Sequence, residues 1–530
     1  MRQDSDAVDR LGPIWVYLVA LTLFFLRFGY GFGLGDQDET LPYLLHLLDS
    51  SLFENDWFVQ TQIGGFGVRT YFVLALLPFC WIVPVEIVFH AAYLLLWLAV
   101  ANGAYRLALE LGTSRLAASV AVVICLGILH KWTLGSNDLV YSMLVPEMAA
   151  WALALPAVRL WLNGRQAWAG VLLGIATWFQ LLAGLLVFGV LILERIWSNL
   201  AKPNVEAQWR PLLAIAWFTL AASPALVPIA LQQLAGPAIS SEESVFYILA
   251  PFRNPLHHML LTFPTKSLYR FAIMVAAGGS ALLFLRAREE VNHAGFLARV
   301  GFLTLVAVGL MFAFTELAPV LIIAKFQAYK LTVLLKLLLI IVIVAAGIAV
   351  LPDSTSDVLA KAERLLVQGR ARVVMLVGLI VGLGVVWFAL PELVEDRLAA
   401  KTHESSELGR MESWINANTD RGAIFAIPPS NNSFRSVAQR AVVVNFMAFP
   451  YSDSSMIDWY RRIQGISPVD RVERDPNPRT ILDASFNKRS REDLSRLAAV
   501  YGFQYVLREA LLVELQPVHT VGTWNLYRIQ

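Results

Sequence analysis

Three carboxylates fall within four residues, Asp36, Asp38 and Glu39, directly after the apolar stretch Pro13–Phe32. Charged residues make up only 15% of the chain, so this density at the mouth of a membrane-length segment is out of proportion to the composition. A carboxylate near a bilayer is costly unless it pairs, binds a cation or does chemistry. Two chemistries suit these acids. Partial desolvation tunes a carboxylate toward proton abstraction, which makes Asp38, Glu39 or Asp36 a candidate catalytic base. Alternatively, the Asp-x-Asp pair Asp36 and Asp38 holds a divalent cation, Mg or Mn, against a phosphate, with Asp138 completing the set. A solvated loop would show the same acids, and Asp138, in the segment 131–147, would equally serve as a helix cap.

A second group is cationic. The loop 231–268 carries Arg253, His257, His258 and Lys266, opposed by Glu242 and Glu243. Arg binds phosphate through its planar fork and Lys as a point charge, so this loop is a candidate site for a lipid-linked phosphate. Lys325 and Lys330, farther along, would meet the same phosphate from the other side. Cations that snorkel from an interface give the same pattern without binding anything. Adjacent side chains such as His257 and His258 rarely chelate one ion. In the C-terminal part, Phe434-Arg435, Arg440 and the run Asp458-Trp459-Tyr460-Arg461-Arg462 read as core residues and surface pairs, and no catalytic residue is expected there. The chain has no Walker loop, nucleophile elbow, zinc-type spacing or dinucleotide fingerprint.

The elements that must position these groups follow from composition. Apolar residues are 57% of the chain and mean hydropathy is +0.59. Apolar runs of membrane length recur from residue 13 to residue 390. The expected fold is an all-α polytopic membrane domain followed by a small soluble α/β domain. About eleven transmembrane helices are predicted, at roughly 13–33, 86–108, 116–131, 145–163, 167–179, 181–194, 211–230, 269–287, 297–315, 326–351 and 372–390. Residues 71–83 are expected to lie on the interface, and a break near Gln180 divides 167–194 in two. The membrane domain is 1–390, with outer loops 34–84 and 231–268, and the extracytoplasmic domain is 391–530. Lys and Arg concentrate in alternate loops, which puts the N-terminus in the cytoplasm and the acidic loop and C-terminal domain outside. The first span reads as a retained anchor in a bacterial inner membrane protein. Cys80 and Cys125 sit in apolar runs and form no metal or disulfide pattern.

In detail, Asp38-Glu39-Thr40-Leu41-Pro42-Tyr43, then Asn55-Asp56-Trp57, then Val68-Arg69-Thr70-Tyr71-Phe72 resembles the first outer loop of the membrane-embedded C-type (GT-C) glycosyltransferases. That superfamily includes protein O-mannosyltransferases and the aminoarabinose transferases that modify lipid A. The resemblance covers this loop and the general plan of many spans followed by an outer domain. It implies that Asp38 is the catalytic carboxylate and that the donor is a sugar on a polyprenyl phosphate. It also implies an inverting transfer to a glycan, lipid or protein acceptor, with Arg253, His258 and Lys266 on the leaving phosphate. Gln62-Ile63-Gly64-Gly65 stands where the lipid A branch has Lys-Pro-Pro, and the whole chain is most similar to uncharacterised bacterial multispan proteins. Membrane lipids are expected partners and nucleic acid is not. No cofactor is expected beyond the divalent cation above. The competing classes are a transporter or flippase of a lipid-linked or small polar solute, and a membrane assembly protein. The position of the acids in loops on one side weighs against transport, which usually places its site near the bilayer midplane.

Overall fold

The computed structural model describes residues 14–201, 209–235, 244–351 and 403–529, apart from 473, 474, 476, 513 and 514. The expected span 372–390, the domain boundary at 390 and the acids Glu242 and Glu243 lie outside the described residues. Six helices are long and apolar enough to cross a membrane: Val85–Glu110, Leu181–Ala201, Trp209–Gln233, Thr265–Ala287, Ala294–Leu317 and Leu321–Ala349. The chain is an integral membrane protein. The eleven expected spans are not all of this kind. The described part of the first, α1, is Ile14–Phe28, and the helices Arg115–Ile128 and Gln166–Phe179 are shorter than the roughly 20 residues a hydrocarbon core requires.

The local sequence explains the helix ends. Helix α2 (Leu41–Leu48) begins with Pro42 in its first turn. Helix α3 (Trp57–Ile63) is capped by Asp56, which accepts from the Val59 amide at 3.0 Å. Helix α4 (Thr70–Cys80) is the short apolar helix expected on the interface, and α5 (Val85–Glu110) follows Pro84. Helix α6 (Arg115–Val122) leads through a π turn into the loop 129–145. Helix α7 (Pro146–Leu162) then runs away from that loop. The expected break falls at Gln180, whose backbone is extended between α8 (Gln166–Phe179) and α9 (Leu181–Ala201). Helix α8 packs against α10 (Trp209–Ala235) through glycines. A Cβ on Gly170 would stand 2.5 Å from the Ala214 carbonyl, and one on Gly174 would stand 2.6 Å from Ala221 Cβ. Small residues four apart let membrane helices approach this closely. Helices α11 (Thr265–Ala287), α12 (Ala294–Phe312) and α13 (Leu331–Ala349) complete the bundle.

The C-terminal part is built on a five-stranded mixed sheet of order β2-β1-β3-β5-β4. Strands β1 (Ile424–Ala426), β2 (Ala441–Val442) and β3 (Tyr505–Arg508) are parallel neighbours. Strands β4 (His519–Val521) and β5 (Trp524–Arg528) add antiparallel edges. Helices α14 (Glu407–Asn418), α15 (Phe434–Val437), α16 (Asp453–Ile466), α17 (Pro478–Asn487) and α18 (Arg491–Tyr501) flank it. Helix α16 carries the Asp458–Arg462 run, and its Met456, Ile457, Trp459, Tyr460 and Ile463 are buried, a helical apolar face.

This sheet does not pack alone. Tyr247, Leu249, Phe252 and Met259 from the loop 244–263 belong to one buried cluster with Val443, Phe446, Trp459 and Tyr460. The Phe252 ring meets Tyr460 edge-on at 5.0 Å. Loop 1 reaches the same body, because Asn55 Nδ2 donates to the Gly422 carbonyl at 2.9 Å. The acidic loop, the loop 244–263 and the C-terminal domain therefore share one end of the bundle. Helix α7, at 1.5 Å per residue, carries the chain from that end to the other, where α8 begins.

A topology experiment follows. In a chain with Cys80 and Cys125 replaced by Ser, single cysteines at Ser51 and Ser405 are expected to react with an impermeant thiol reagent from the same side of sealed vesicles. A cysteine at Trp168 is expected to react only from the opposite side. Labelling of all three from one side would contradict this end-to-end arrangement.

Candidate active site at the loop 1 junction

The acids lie in a single 3-10 turn, Gly35–Glu39. Gly35 opens it at φ +58°, and a Cβ there would stand 2.9 Å from Met143 Cε, so both backbone and space favour glycine. Gln37 locks the turn from inside: its Oε1 accepts from the Gly33 amide at 2.7 Å and its Nε2 donates to the Leu144 carbonyl at 3.2 Å. With three residues per turn, positions i and i+3 eclipse. Asp36 and Glu39 therefore share one face, while Asp38 points to another. This split decides what each acid can do.

Asp38, the carboxylate expected to meet substrate, is the fully buried one. Its Oδ2 accepts from Arg435 Nη1 at 3.0 Å and from Asn445 Nδ2 at 2.6 Å, and its Oδ1 has no partner. Arg435 is itself buried and donates Nε to Asp56 Oδ2 at 2.8 Å. Asp56 Oδ2 also takes the Val442 amide at 3.0 Å. One guanidinium thus serves two carboxylates. Asp56 is better provided for, and the deficit falls on Asp38. Burial pushes the Asp38 carboxyl up to about 6, with Arg435 and Asn445 acting against that rise.

The other face holds a different set. Glu39 is buried and accepts from Arg69 Nε at 3.0 Å and Nη2 at 2.7 Å. Burial raises its carboxyl, and Arg69 opposes the rise. Arg69 also donates to the Tyr451 hydroxyl at 3.0 Å, tying this pair to the C-terminal domain. Asp36 is exposed, and no hydrogen bond reaches its carboxylate among the described residues. It lies within electrostatic reach of Glu39, Arg69, Arg253 and Tyr451. Arg253 is held by the Met447 carbonyl and Asn254 Oδ1, both at 2.8 Å, and lies over the Phe446 ring at 5.0 Å. Its Nε keeps a proton with no acceptor.

The remaining expected residues divide. His257 and His258 lie near Arg253 and Lys330, as a phosphate site would require, but they are not cationic at neutral pH. Burial, reinforced by Lys330 and Arg253, holds His257 well below the ordinary imidazole range. Burial also pushes His258 down to about 4, despite the Asn254 carbonyl against its Nδ1 at 2.9 Å. Both can act only as neutral donors or acceptors. Lys266 is exposed. Lys325 turns to Asp453 at 2.5 Å. Lys330 is buried between Glu147 at 2.9 Å and Asn137 Oδ1 at 2.8 Å, so neither Lys325 nor Lys330 stands ready for a phosphate. Asp138 is paired with the fully buried Lys336 at 2.6 Å and lies 3.1 Å from His130. Burial raises its carboxyl, but Lys336 and the adjacent His130 ring outweigh that and hold it below the usual range. Among the described residues no three His, Cys, Asp or Glu gather as a metal-binding group. With Arg435 on Asp38 and Lys336 on Asp138, the expected donor set Asp36, Asp38 and Asp138 does not fit one cation.

Three residues central to this geometry were not expected: Arg435, Asn445 and Tyr451. They pair with loop 1 across 397, 407 and 412 positions of sequence. Arg435 stood out in the step Phe434-Arg435 and read as core or a surface pair, with no role at loop 1 expected for it.

A domain family of unknown function, DUF6798, matches residues 406–466, the stretch that supplies all three. No curated protein matches the chain. Among solved structures, the Archaeoglobus fulgidus oligosaccharyltransferase, described in complex with Zn and sulfate, aligns at 13% identity with a TM-score of 0.42. The alignment covers 93% of this chain and 67% of that one. Likeness of that degree assigns no residue a role.

The buried triad predicts a pH signature. The folded pKa of Asp38, about 6, lies above its ordinary 3.8. The folded chain then binds this proton more tightly than the unfolded chain. The resulting stability is present in full below the ordinary value and is lost as pH rises through the folded one. The melting temperature in detergent is expected to fall from about pH 4 to about pH 6, and Asp38→Asn is expected to flatten that fall. Arg435→Met leaves both acids buried without a cation and is expected to destabilise by about 3–5 kcal/mol, with part regained on adding Asp38→Asn. Equal pH slopes for the wild type and Asp38→Asn would contradict the assignment.

Proposed function

We propose that this protein is a membrane glycosyltransferase that moves a sugar from a polyprenyl-phosphate carrier to a hydroxyl acceptor, with Asp36 as the base. The observation that carries this reading is the exposed carboxylate of Asp36, free of hydrogen bonds among the described residues and set near two arginines. A base must reach the proton it abstracts, and Asp38 and Glu39 are both buried and bound to Arg. The acceptor oxygen gives its proton to the Asp36 carboxylate and attacks the anomeric carbon. The bond from that carbon to the phosphate oxygen breaks, and its electron pair leaves on the phosphate. Arg253 faces that growing charge, and His257 and His258 offer neutral hydrogen bonds beside it. No metal takes part in this scheme.

The lipid carrier follows from location. The Lys and Arg bias puts the opposite end of the bundle in the cytoplasm, so the junction faces outward, where a membrane-borne donor meets it from the outer leaflet. The acceptor is a glycan, a lipid or a protein hydroxyl.

In nanodiscs, Asp36→Asn is expected to lower glycosyl transfer from a panel of polyprenyl-phosphate sugars by at least about 100-fold, with the fold retained. Asp38→Asn is expected to retain transfer in proportion to the folded fraction. The opposite ranking would return the base to Asp38. Arg253→Ala is expected to weaken binding of undecaprenyl phosphate by about 1.5–3 kcal/mol. Arg253→Lys restores only part, because an ammonium lacks the planar fork. Unchanged binding by Arg253→Ala would remove the phosphate site from this loop.

A further inference from the structure

A polar cleft of about 280 Å³ opens in the C-terminal domain, with no residue of loop 1 in its lining. Its size is at the low end for small-molecule sites, which run from about 300 to 1,000 Å³, and suits a single ring better than an extended chain. Asn431, Asn432, Asp483, Asn487, Glu509 and Trp524 line it. Several of these groups are prepared but unused. The Asn487 Oδ1 is buried without a partner. The side chains of Asn432 and Glu509 make no hydrogen bond among the described residues, and Asp483 commits one oxygen to the Ser430 amide at 3.0 Å.

The floor of the cleft is fixed. Glu412, fully buried, accepts from Asn431 Nδ2 at 2.9 Å, from Ser433 Oγ at 2.8 Å and from His403 Nε2 at 2.7 Å. Asn431 Oδ1 in turn takes the amides of Ser433 and Phe434 at 3.1 Å. Binding groups held this way lose little freedom when a ligand arrives.

The free groups specify the ligand. Carboxylates accept only, and an amide both donates and accepts. An anion would meet Asp483 and Glu509 with the wrong sign. A simple cation would leave the Asn432 amide donors and the Trp524 surface without partners. A hydroxyl-rich neutral molecule answers all of them, since each hydroxyl donates and accepts and a sugar's C–H face covers an aromatic ring. We infer that this cleft binds a neutral sugar residue, at a site separate from the loop 1 junction.

The cleft is also wired to that junction. The Asn431 carbonyl accepts from Asn445 Nδ2 at 3.0 Å, and the same amide group donates to Asp38. Occupancy on one side of Asn431 therefore bears on the residue that holds Asp38 in place. The inference does not need the transferase reading. If that reading holds, the cleft holds the acceptor, or a product already carrying sugar.

The test is retention of the purified full-length chain on an array of neutral and charged oligosaccharides, followed by titration with the neutral sugar retained best. Asn432→Ala and Glu509→Gln are each expected to lower affinity about tenfold without changing the melting temperature. Asp36→Asn is expected to leave this affinity unchanged, so failure of the transferase chemistry and failure of the cleft are told apart. An array that retains no neutral oligosaccharide, retention of anionic glycans alone, or affinity that survives both cleft substitutions would overturn the inference.

Discussion

One guanidinium holds this structure's working end together. Arg435 sits on the four-residue helix α15 of the C-terminal domain, and it binds Asp38 and Asp56, which flank helix α2 in loop 1. Burying three charges for two contacts is a poor way to gain stability, because desolvation offsets most of the Coulomb attraction. It is an effective way to fix position. A displaced loop or a rotated domain would leave at least one of the two carboxylates buried and unpaired. The Asp56 side of the clamp is further set by the cap it gives α3 and by the Val442 amide in β2, so strand, helix and loop meet at one carboxylate.

The placement of the other charges depends on that clamp. With Asp38 turned inward, the eclipsed positions 36 and 39 must face the opposite way. Glu39 finds Arg69 there, and the pair closes against Tyr451. Arg253 approaches from a third segment, held to the Met447 carbonyl of the C-terminal domain. Glu39 and Arg69 cancel, which leaves Arg253 and the carboxylate of Asp36 without an ion-pair partner on that face among the described residues. A pair of that kind is what a reaction that moves a proton one way and negative charge the other requires.

Much of the framework was legible in the sequence, because it is local. The break at Gln180 and the short apolar helix after Arg69 follow from apolar periodicity and chain breakers over a dozen residues. The acids of loop 1 and the basic loop with Arg253 could be named as candidates on residue type and loop position, and the structure brings Arg253 within electrostatic reach of Asp36 and Glu39. What could not be read was burial. Asp36 and Asp38 look equivalent as letters, and only a partner nearly four hundred residues away makes one of them structural. The His257–His258 pair failed for the same reason: its charge is set by burial and by Lys330 and Arg253, not by its own neighbours in sequence. Among the described residues six helices reach membrane length, and α8 falls short of it, since composition reports apolarity more faithfully than it reports where a helix stops.

The turn that separates the acids is therefore more specific than an acidic cluster. An α-helical turn at Gly35–Glu39 would place residues i and i+3 about 60° apart instead of eclipsed, at 100° per residue. Asp36 would swing off the face of Glu39, and Asp38 would no longer point squarely at Arg435. The chain prevents this in three ways: Gly35 enters the turn at positive φ, Gln37 is pinned to Gly33 and Leu144, and Asp38 is clamped from the far domain. None of the three touches Asp36. The carboxylate left free is held only by the backbone beneath it, and so can give its oxygens to a ligand without first breaking a bond of its own.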